Sequence, residues 1–539
     1  MSEPQETKTL LALFNEGKLK EAAALAESMI ELYPTHGFAW KVLGLLYKNA
    51  GRKALAQVIM QHAIALSPND ADGYNNLGNL LRENNQLHEA ERALLHALEL
   101  KPKFVEALNN YGSLLQESMR FPEAEAAFLR AIELKPDYAD AYYNLGNLFL
   151  VTKQMAKAEA AYLRALKLRM TYAETYNNLG IVYKETKRLP EAVAAFRRAL
   201  ELKPDYADAK WGLGVLLLIQ GQYAEAWPYH ESRYDPNRTN NTIAMPSLPF
   251  PQWRGESLKG KSMLICPEQG YGDYIQFARY APLLKRQGVS TLTLICAQPL
   301  KALLETVEGV DTVITDPASI LPHDFWSFPL SLPLYFETTV DTIPNCLPYL
   351  HATPKRMRLW NKSLARKTFG VGLVWKGSSI HTNDANRSLP GLTTLAPLWS
   401  VSGVTFFSLQ IGQGEMVAKQ PPPAQPIINL GPDIRDFADT SAIVAQLDLV
   451  ICVDTAVAHV AGALGKPCWV LIPAFGTDWR WLQDRTGSPW YPGALRIFRQ
   501  KTPDEWDDTV GEVVTMLKTL VSNVNEKNSL APLTAPFSR

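Results

Sequence analysis

Residues 71–104 read ADGYNNLGNLLRENNQLHEAERALLHALELKPKF, and residues 105–138 read VEALNNYGSLLQESMRFPEAEAAFLRAIELKPDY. The two stretches share a pair of asparagines, a glycine, several alanines and a proline, each displaced by 34 residues. The same spacing continues towards both ends of the first half of the chain. It carries these residues: Pro34, Pro68, Pro102, Pro136 and Pro204 (with Met170 in the vacant place); Gly44, Gly78, Gly112, Gly146, Gly180 and Gly214; Ala56, Ala90, Ala124, Ala158 and Ala192; Ala63, Ala97, Ala131, Ala165 and Ala199.

Each conserved type in this repeat has a packing reason. Small residues allow the two helices of a unit to cross closely, and proline ends the second helix because it cannot continue one. Large residues such as Trp40, Tyr74, Tyr142 and Tyr176 are expected to fill the gap to the next unit. The pattern resembles the tetratricopeptide repeat and predicts an all-α solenoid over residues 1–234. We count about six units and an irregular last one, whose second helix runs into GQYAEAWPYHESRY.

One position of the repeat is an asparagine ladder formed by Asn76, Asn110, Asn144 and Asn178. A carboxamide both donates and accepts hydrogen bonds, so such a ladder can hold the backbone of an extended peptide without reading its side chains. Alternatively, these amides bond within the solenoid. The ladder resembles the one in the nucleocytoplasmic O-GlcNAc transferases, where it holds substrate polypeptide, and the resemblance implies a protein or peptide partner.

The overall composition excludes several classes of function. The 539 residues contain 54 Lys and Arg against 54 Asp and Glu, which argues against a nucleic-acid partner because phosphates require an excess of positive charge. The five cysteines show no paired spacing, so we expect neither disulfides nor a metal site. Free cysteines also indicate a reducing compartment. The start MSEPQETKTL resembles no secretory signal, and no apolar stretch is long enough to span a membrane. These features predict a soluble, cytoplasmic protein.

The second half of the chain has a different pattern. Residues 235–259 form an aperiodic linker, in which Phe250 and Trp253 are expected to be buried. From Gly260, strands and helices alternate, which is typical of parallel α/β sheets. We assign strands to SMLICPE, TLTLICA, DTVITD and FPLSLPLYF, and a second set runs from FGVGLVWKG to LRIFRQ. The pattern predicts a GT-B fold with two Rossmann-like domains, residues 260–363 and 364–521, and a disordered tail over 522–539.

The first candidate site segment is PEQGYGD, a glycine-containing loop that ends in Asp273 after the first strand. Its carboxylate is placed to act as a general base on an acceptor hydroxyl. The alternative is that Asp273 caps the following helix, which is a common role for aspartate.

The second segment is VDTAVAH, where a buried strand ends and a helix begins. Free N–H groups in the first turn of a helix bind anions, and Thr455 and His459 share a helix face because they are four residues apart. Together they could bond the diphosphate of a nucleotide sugar. Alternatively, Asp454 is only the N-cap and His459 only packs.

The third segment, WKGSSIHTNDANRS, begins the second predicted domain. Lys376 and Arg387 within it can supply positive charge to a leaving group, or are solvated loop charges. No Asp-x-Asp motif is present, so we expect cations and a helix terminus in place of a metal, and no cofactor.

Residues 221–500 resemble the tetratricopeptide-linked relatives of glycosyltransferase family 9, the heptosyltransferases. The resemblance lies in EQGYGDYIQFARY, VGLVWKGSSIHTNDANRSLP, DLVICVDTAVAHVAGALGKP and DWRWLQDRTGSPWYP. It implies an inverting, metal-independent enzyme with Asp273 as the base. The family motif Asp-Thr-Gly-x-x-His, which holds donor phosphate, corresponds to Asp454, Thr455 and His459, with Ala456 in place of the glycine. A family cation corresponds to Arg387.

The sequence therefore predicts a glycosyltransferase that moves a sugar from a nucleotide sugar to a Ser or Thr hydroxyl of a protein held by the solenoid. Bacterial flagellin glycosyltransferases that join such repeats to a transferase domain offer an analogy, with flagellin as a candidate acceptor. One alternative is a glycan or lipopolysaccharide acceptor. Another is a non-catalytic repeat scaffold with a degenerate transferase domain.

Overall fold

The structure, a computed structural model, describes residues 3–268, 270–381 and 383–530. The chain divides into two compact units between Gly212 and Leu213. Within the described residues, no helix is both long enough and apolar enough to span a membrane.

A series of antiparallel helix pairs forms the first unit, and the last helix of the series, Tyr223–His230, belongs to the second unit. The helices of the repeats, including the last pair that follows the same pattern, are α1 Glu3–Asn15, α2 Leu19–Leu32, α3 Gly37–Asn49, α4 Lys53–Leu66, α5 Ala71–Glu83, α6 Leu87–Leu100, α7 Val105–Glu117, α8 Phe121–Leu134, α9 Ala139–Val151, α10 Met155–Leu168, α11 Ala173–Glu185, α12 Leu189–Leu202, α13 Ala207–Ile219 and α14 Tyr223–His230. These bounds confirm the predicted solenoid of helix pairs.

The close crossing within each pair explains the repeated glycine. A Cβ on Gly112 would lie 2.6 Å from Phe128 Cε1, and one on Gly146 would lie 2.5 Å from Tyr162 Cε1. Only glycine leaves room for the large side chain that the second helix presents at this point. The alanine series is fully buried beside the same crossing, as Ala124 illustrates.

The turn inside each pair uses a left-handed residue that the sequence pattern did not reveal. Its φ angle lies between 57° and 76° at seven positions spaced by 34 residues: Gly17, Gly51, Asn85, Met119, Lys153, Lys187 and Gly221. The residue after it donates its N–H to the carbonyl five positions back, as Gln86 does to Leu81 at 2.9 Å. This is the Schellman closure of a helix, and here it is achieved with or without glycine.

The second unit contains two parallel sheets. The first has the order β3-β2-β1-β4, and the second has the order β10-β9-β8-β5-β6-β7. The strands are β1 Ser262–Ile265, β2 Thr291–Ile295, β3 Thr312–Ile314, β4 Phe325–Ser327, β5 Phe369–Val374, β6 Val404–Ser408, β7 Ile428–Asn429, β8 Leu449–Val453, β9 Cys468–Ile472 and β10 Leu495–Arg499. Both orders reverse direction beside their first strand, as in Rossmann-like folds. The predicted fold class, a helical solenoid followed by two α/β domains, is confirmed.

Ten helices accompany these strands in the described residues. They are α15 Tyr271–Phe277, α16 Ala281–Arg286, α17 Lys301–Leu304, α18 Leu332–Tyr335, α19 Pro354–Trp360, α20 Asp384–Arg387, α21 Glu415–Lys419, α22 Phe437–Gln446, α23 Ala456–Ala463 and α24 Asp507–Leu530. The core of the second sheet joins strand residues such as Val371 and Ile451 to Val513 and Leu517 of α24.

The linker is packed, as predicted. Phe250 and Trp253 are 9% and 2% exposed. Phe250 belongs to the hydrophobic core beneath the first sheet, and the Trp253 N–H donates to the Trp326 carbonyl at 2.7 Å. Residues of the predicted linker therefore extend the first domain.

Two predicted elements differ from the structure. FPLSLPLYF is not a strand: β4 lies just before it, and the segment forms a short 3-10 helix, Pro329–Ser331, followed by α18. The reason is that Pro329 and Pro333 lack the N–H that a ladder needs, whereas the first turn of a helix tolerates proline. The predicted tail is wrong for residues 522–530, which belong to α24 because nothing in VSNVNEKNSL stops a helix. The remaining residues of that predicted tail lie outside the described part.

Candidate active site

The candidate site lies at the carboxyl ends of four strands. In the first sheet β1 lies between β2 and β4, and in the second sheet β5 lies between β6 and β8. Such a switch in strand order opens a crevice at the carboxyl edge of a sheet, where ligands of α/β proteins bind. The segments that follow β1, β5, β8 and β9 carry Asp273, Arg387, Thr455 and Arg480, respectively.

Asp273 lies in the first turn of α15 and uses its two carboxylate oxygens differently. Oδ2 accepts the Gly270 N–H at 2.9 Å, which caps the helix. Oδ1 forms an ion pair with the Arg480 guanidinium, and the side chain is 16% exposed. Burial raises the pKa of Asp273, and the positive charge of Arg480 only partly opposes this. The predicted capping role is present, and the oxygen that does not cap the helix is engaged by Arg480.

The N-terminus of α23 has donors to spare. Its N-cap is Thr455, not Asp454, and the Thr455 side chain makes no capping hydrogen bond. Thr455 Oγ1 is buried and has no partner among the described residues. The backbone N–H groups of Ala456 and Val457 likewise donate to no described backbone carbonyl. A helix end with this many open donors suits an anion.

His459 is held deeper, one turn along α23. It is 6% exposed, its Nδ1 lies 2.9 Å from the Tyr491 hydroxyl, and its ring stacks on Trp481. Burial keeps the pKa of His459 well below its usual value, so the ring is neutral near pH 7. A Cβ on Gly272 would lie 2.7 Å from His459 Cδ2. These contacts agree with the alternative in which His459 packs in the interior. Contact between His459 and a donor phosphate stays a prediction.

The two predicted cations follow β5. The Lys376 N–H donates to Gln410 Oε1 at 2.9 Å, and its ammonium forms no ion pair within the described residues. Arg387 ends α20 and pairs loosely with Asp384, with 3.6 Å between Nε and Oδ1. The Arg387 side chain is only 14% exposed, so it is not a solvated loop charge. Its charge lowers the pKa of Asp454, the residue after β8.

Arg480 is the main site residue that sequence reasoning missed. It lies in the 3-10 helix Trp479–Trp481 and is 5% exposed. Its Nη1 lies 2.8 Å from Asp478 Oδ2, its Nη2 pairs with Asp273, and its guanidinium lies 4.5 Å from the Trp479 ring centroid. The segment DWRWLQDRTGSPWYP carried the family resemblance, and a buried arginine between two tryptophans was the available signal.

Asp454 directly follows β8, and these charged groups act on it. Burial and the neighbouring Asp478 carboxylate raise its pKa to about 6, against the opposing charges of Arg387 and Arg480. A carboxyl that titrates near neutrality in a crevice is a common property of functional sites. Within the described part of the chain, no three His, Cys, Asp or Glu side chains are grouped so that they could hold a metal ion.

Several buried donors of this region share one property. Thr455 Oγ1, Arg387 Nε, Arg480 Nε and Trp375 Nε1 are all buried and make no hydrogen bond to any described residue. Unpaired buried polar groups are costly and uncommon in folded proteins. These unpaired donors accumulate at the carboxyl ends of β5, β8 and β9.

Glu268, at the other end of the same loop as Asp273, has a structural role. It pairs with Arg233 at 2.7 Å, and neither side chain is exposed. Glu268 also accepts the Leu330 N–H at 2.8 Å, so its oxygens tie the segment after α14 to the first sheet.

The predicted asparagine ladder takes part in hydrogen bonds within the solenoid. Asn110 donates to Asn75 at 2.8 Å, Asn144 to Asn109 at 2.9 Å, and Asn178 to Asn147 at 2.8 Å. Each link joins helices of neighbouring units and uses one hydrogen of the donor amide. All four ladder residues, Asn76 included, remain partly exposed, so that peptide binding by them stays a prediction.

Comparison with protein-family models finds the repeats and a transferase region. Residues 403–473 match "Glycosyltransferase family 9 (heptosyltransferase)". Tetratricopeptide-repeat models match residues 39–70, 59–92, 120–151, 137–205 and 177–241. The transferase match runs from β6 to β9 with the whole of α23, and so contains Asp454, Thr455 and His459.

Known proteins similar to this chain include one curated relative and several repeat structures. Protein FlbA of Caulobacter vibrioides is 28% identical over 329 residues. The match covers 56% of this chain and 54% of that protein, so the chain spans about half the length of its relative. The solved structures include the APC/C hetero-tetramer Cut9-Hcn1, with a TM-score of 0.37 and 22% identity over 40% of this chain and 44% of that one. Pseudomonas aeruginosa PilF gives a TM-score of 0.34 and 22% identity over 38% and 93%. The chain thus combines tetratricopeptide repeats with a region that matches glycosyltransferase family 9, which supports a glycosyltransferase.

Proposed function

We propose that this protein transfers a sugar from a nucleotide sugar to a Ser or Thr hydroxyl of a protein that its solenoid recruits in the cytoplasm. The observation that carries the transferase part is the set of unpartnered buried donors around the N-terminus of α23. A diphosphate supplies the acceptor oxygens that Thr455 and the backbone N–H groups of Ala456 and Val457 lack.

The positive charges near this helix end suit the chemistry of the leaving group. When the bond between the anomeric carbon and the phosphate oxygen breaks, its electron pair passes to the nucleoside diphosphate. Lys376 and Arg387 follow β5, the strand that pairs with β8, and would stabilise this added charge. Direct attack by the acceptor oxygen on the anomeric carbon inverts its configuration, and no metal is required in this scheme.

The acceptor hydroxyl must lose a proton as it attacks. Asp273 Oδ1 is the carboxylate oxygen that no backbone group caps, and burial raises its pKa towards that of an effective base. We assign to it the proton of the Ser or Thr hydroxyl. His459 would hold α15 and α23 in register through its contacts with Tyr491 and Gly272, and so fix the distance between base and donor.

A protein acceptor is proposed from the repeats, since superhelical surfaces of this kind hold extended peptides. Asn76, Asn110 and Asn144 would contact the peptide backbone with the amide atoms that the solenoid leaves unused, whereas Asn178 would have to exchange its bonds to Tyr143, Asn147 and Asn177 for the peptide. Flagellin is one candidate acceptor, by analogy alone. The family description "heptosyltransferase" favours a second candidate function, transfer to a glycan or lipopolysaccharide.

The donor site is tested by isothermal titration of the full chain with ADP, GDP, UDP and CDP. We expect one of them to bind, and Thr455→Val to weaken that binding about tenfold because a charge-assisted hydrogen bond is lost. Thr515→Val on α24 is the matched control, since its hydroxyl donates only to the Gly511 carbonyl, and it should leave the affinity unchanged. Absence of binding by all four nucleotides would refute the transferase proposal and leave a repeat scaffold.

A further inference from the structure

The candidate site contains a buried arginine, Arg480, that acts on both the predicted base and the predicted phosphate site. Arg480 lies between the predicted base and the predicted phosphate site. Its Nη2 contacts Asp273 on α15, and its charge also lowers the pKa of Asp454 beside the N-terminus of α23. Arg480 follows β9 of the second sheet, whereas Asp273 follows β1 of the first, so their ion pair joins the two domains of this unit.

The hydrogen bonds of Arg480 are incomplete. Nη1 contacts both oxygens of Asp478, at 3.0 and 2.8 Å, and Nη2 contacts Asp273. Nε is buried without a partner in the described residues. Arginine offers five N–H donors in a rigid planar fork that suits carboxylate and phosphate equally well. A phosphate beside the fork therefore competes with Asp273 for the same group.

We propose that Arg480 is an exchange residue: it holds Asp273 while the donor site is empty, and it turns to the donor diphosphate when that binds. The step involves no covalent change. The ion pair with Asp273 Oδ1 breaks, and new hydrogen bonds form between the guanidinium and phosphate oxygens. The inference rests on the proposed function and adds an order to it, in which the nucleotide sugar binds before the acceptor hydroxyl can be activated.

The exchange changes Asp273 in the direction that catalysis needs. Paired with a guanidinium, a carboxylate is a poor proton acceptor because the positive charge stabilises its ionised form. Besides Arg480, the titratable groups that act on Asp273 are Asp478, which raises its pKa, and His381, which lowers it. Once Arg480 turns away, burial and Asp478 dominate, and the pKa of Asp273 rises. The base then becomes competent only when a donor is present, which limits wasteful reaction of an unloaded site.

The competition predicts an unusual gain of affinity, which misfolding cannot produce. Asp273→Asn removes the competitor, so the nucleoside diphosphate that binds the wild-type full chain should bind this variant about tenfold more tightly. Removing the negative charge of Asp273 also raises the affinity for any anion, since it removes a repulsion. The effect of Asp273→Asn in the Arg480→Gln background measures this general contribution. We expect Asp273→Asn to improve affinity far less in Arg480→Gln than in the wild type. Titration calorimetry of the wild type, the two single variants and the double variant measures the coupling free energy between Asp273 and Arg480.

The outcomes separate this inference from the proposed function. Equal effects of Asp273→Asn in both backgrounds would mean that Arg480 takes no part in the competition, and the exchange would be wrong while the donor site stands. If the wild type binds no nucleoside diphosphate, the proposed function fails first. If Arg480→Gln unfolds, Arg480→Lys can replace it, because lysine keeps the positive charge without the planar fork. In the Arg480→Lys background, Asp273→Asn should improve affinity less than in the wild type and more than in Arg480→Gln.

Discussion

At the scale of single residues, the buried carboxyl of Asp454 lowers the free energy of unfolding at neutral pH. Burial and Asp478 raise its pKa to about 6, above the value of about 4 for an aspartate in an unfolded chain. Between these two values the folded state binds more protons than the unfolded state, so the free energy of unfolding falls as the pH rises from 4 to 6. Above pH 6 the ionised carboxylate remains a penalty to the fold.

Asp454→Asn should therefore stabilise the protein at pH 7.5, by about 1–2 kcal/mol after allowance for solvent. The gain should shrink as the pH falls and vanish below pH 4, where Asp454 is protonated in both the folded and the unfolded state of the wild type. Urea denaturation at pH 7.5 and 4.5 measures it. The exposed Asp433 provides the matched control through Asp433→Asn, for which we expect no such dependence. A stability difference for Asp454→Asn that is equal at both pH values would contradict the assignment of the raised pKa.

Single residues also mark what sequence could and could not predict. The motif around Asp454 and Thr455 places both at a strand end and helix start, and the structure agrees because strand and helix are local. The partner of Asp273 could not be foreseen, because Arg480 lies 207 residues away and reaches Asp273 only through the packing of two sheets. His459 lies on α23, one turn after the N-cap Thr455, and its ring contacts Tyr491.

At the scale of elements, the contact between α15 and α23 depends on one glycine. A Cβ on Gly272 would lie 2.7 Å from His459 Cδ2, 3.2 Å from His459 Nε2 and 3.6 Å from Ala456 Cα. The histidine ring is wedged between Tyr491 and Trp481, so it cannot give way easily. The added methyl group must instead push the two helices apart.

Gly272→Ala should therefore destabilise the protein by about 1–3 kcal/mol, the usual cost of overpacking, and weaken nucleoside diphosphate binding. Gly270→Ala is the matched control two residues away, where a Cβ meets only Asp273 Oδ2 at an ordinary 3.5 Å. We expect that variant to behave as the wild type. Denaturant unfolding and titration calorimetry measure both effects. Equal behaviour of the two alanine variants would show that the helices do not need this close approach.

Elements were predictable where local chemistry dominates. Buried apolar runs such as DLVICVD and CWVLIP became β8 and β9, since a parallel strand covered on both faces needs little else. FPLSLPLYF had the same apolar character but two prolines, and the loss of two N–H donors outweighed it. The left-handed turns at Met119 and Lys153 carry no sequence signal, because the solenoid imposes them on whichever residue occupies the position.

At the scale of the whole molecule, the repeat pattern continues past the division between the two compact units. The 34-residue spacing continues through α14, which predicted a solenoid up to residue 234, yet the compact division falls before Leu213. The reason is aromatic packing. Tyr223 of α14 accepts a hydrogen bond from Trp490 Nε1 at 3.1 Å, and Trp227 lies 5.6 Å from the Trp479 ring, next to Arg480.

This packing decides how the two proposed roles should be separated by truncation. Removing residues 1–206 cuts just before α13 and leaves the second unit whole, so nucleoside diphosphate binding should match that of the full chain. Removing residues 1–234 also deletes α14, exposes Trp479 and Trp490, and should abolish that binding. Titration calorimetry on both fragments, with circular dichroism to check folding, measures the difference.

The fragment that lacks residues 1–206 should also lose sugar transfer to a protein acceptor, because the repeats that hold the peptide are gone. Mass spectrometry of the acceptor measures this loss. Transfer to protein at the full rate by that fragment would refute recruitment by the solenoid, and transfer to a glycan alone would favour the second candidate function.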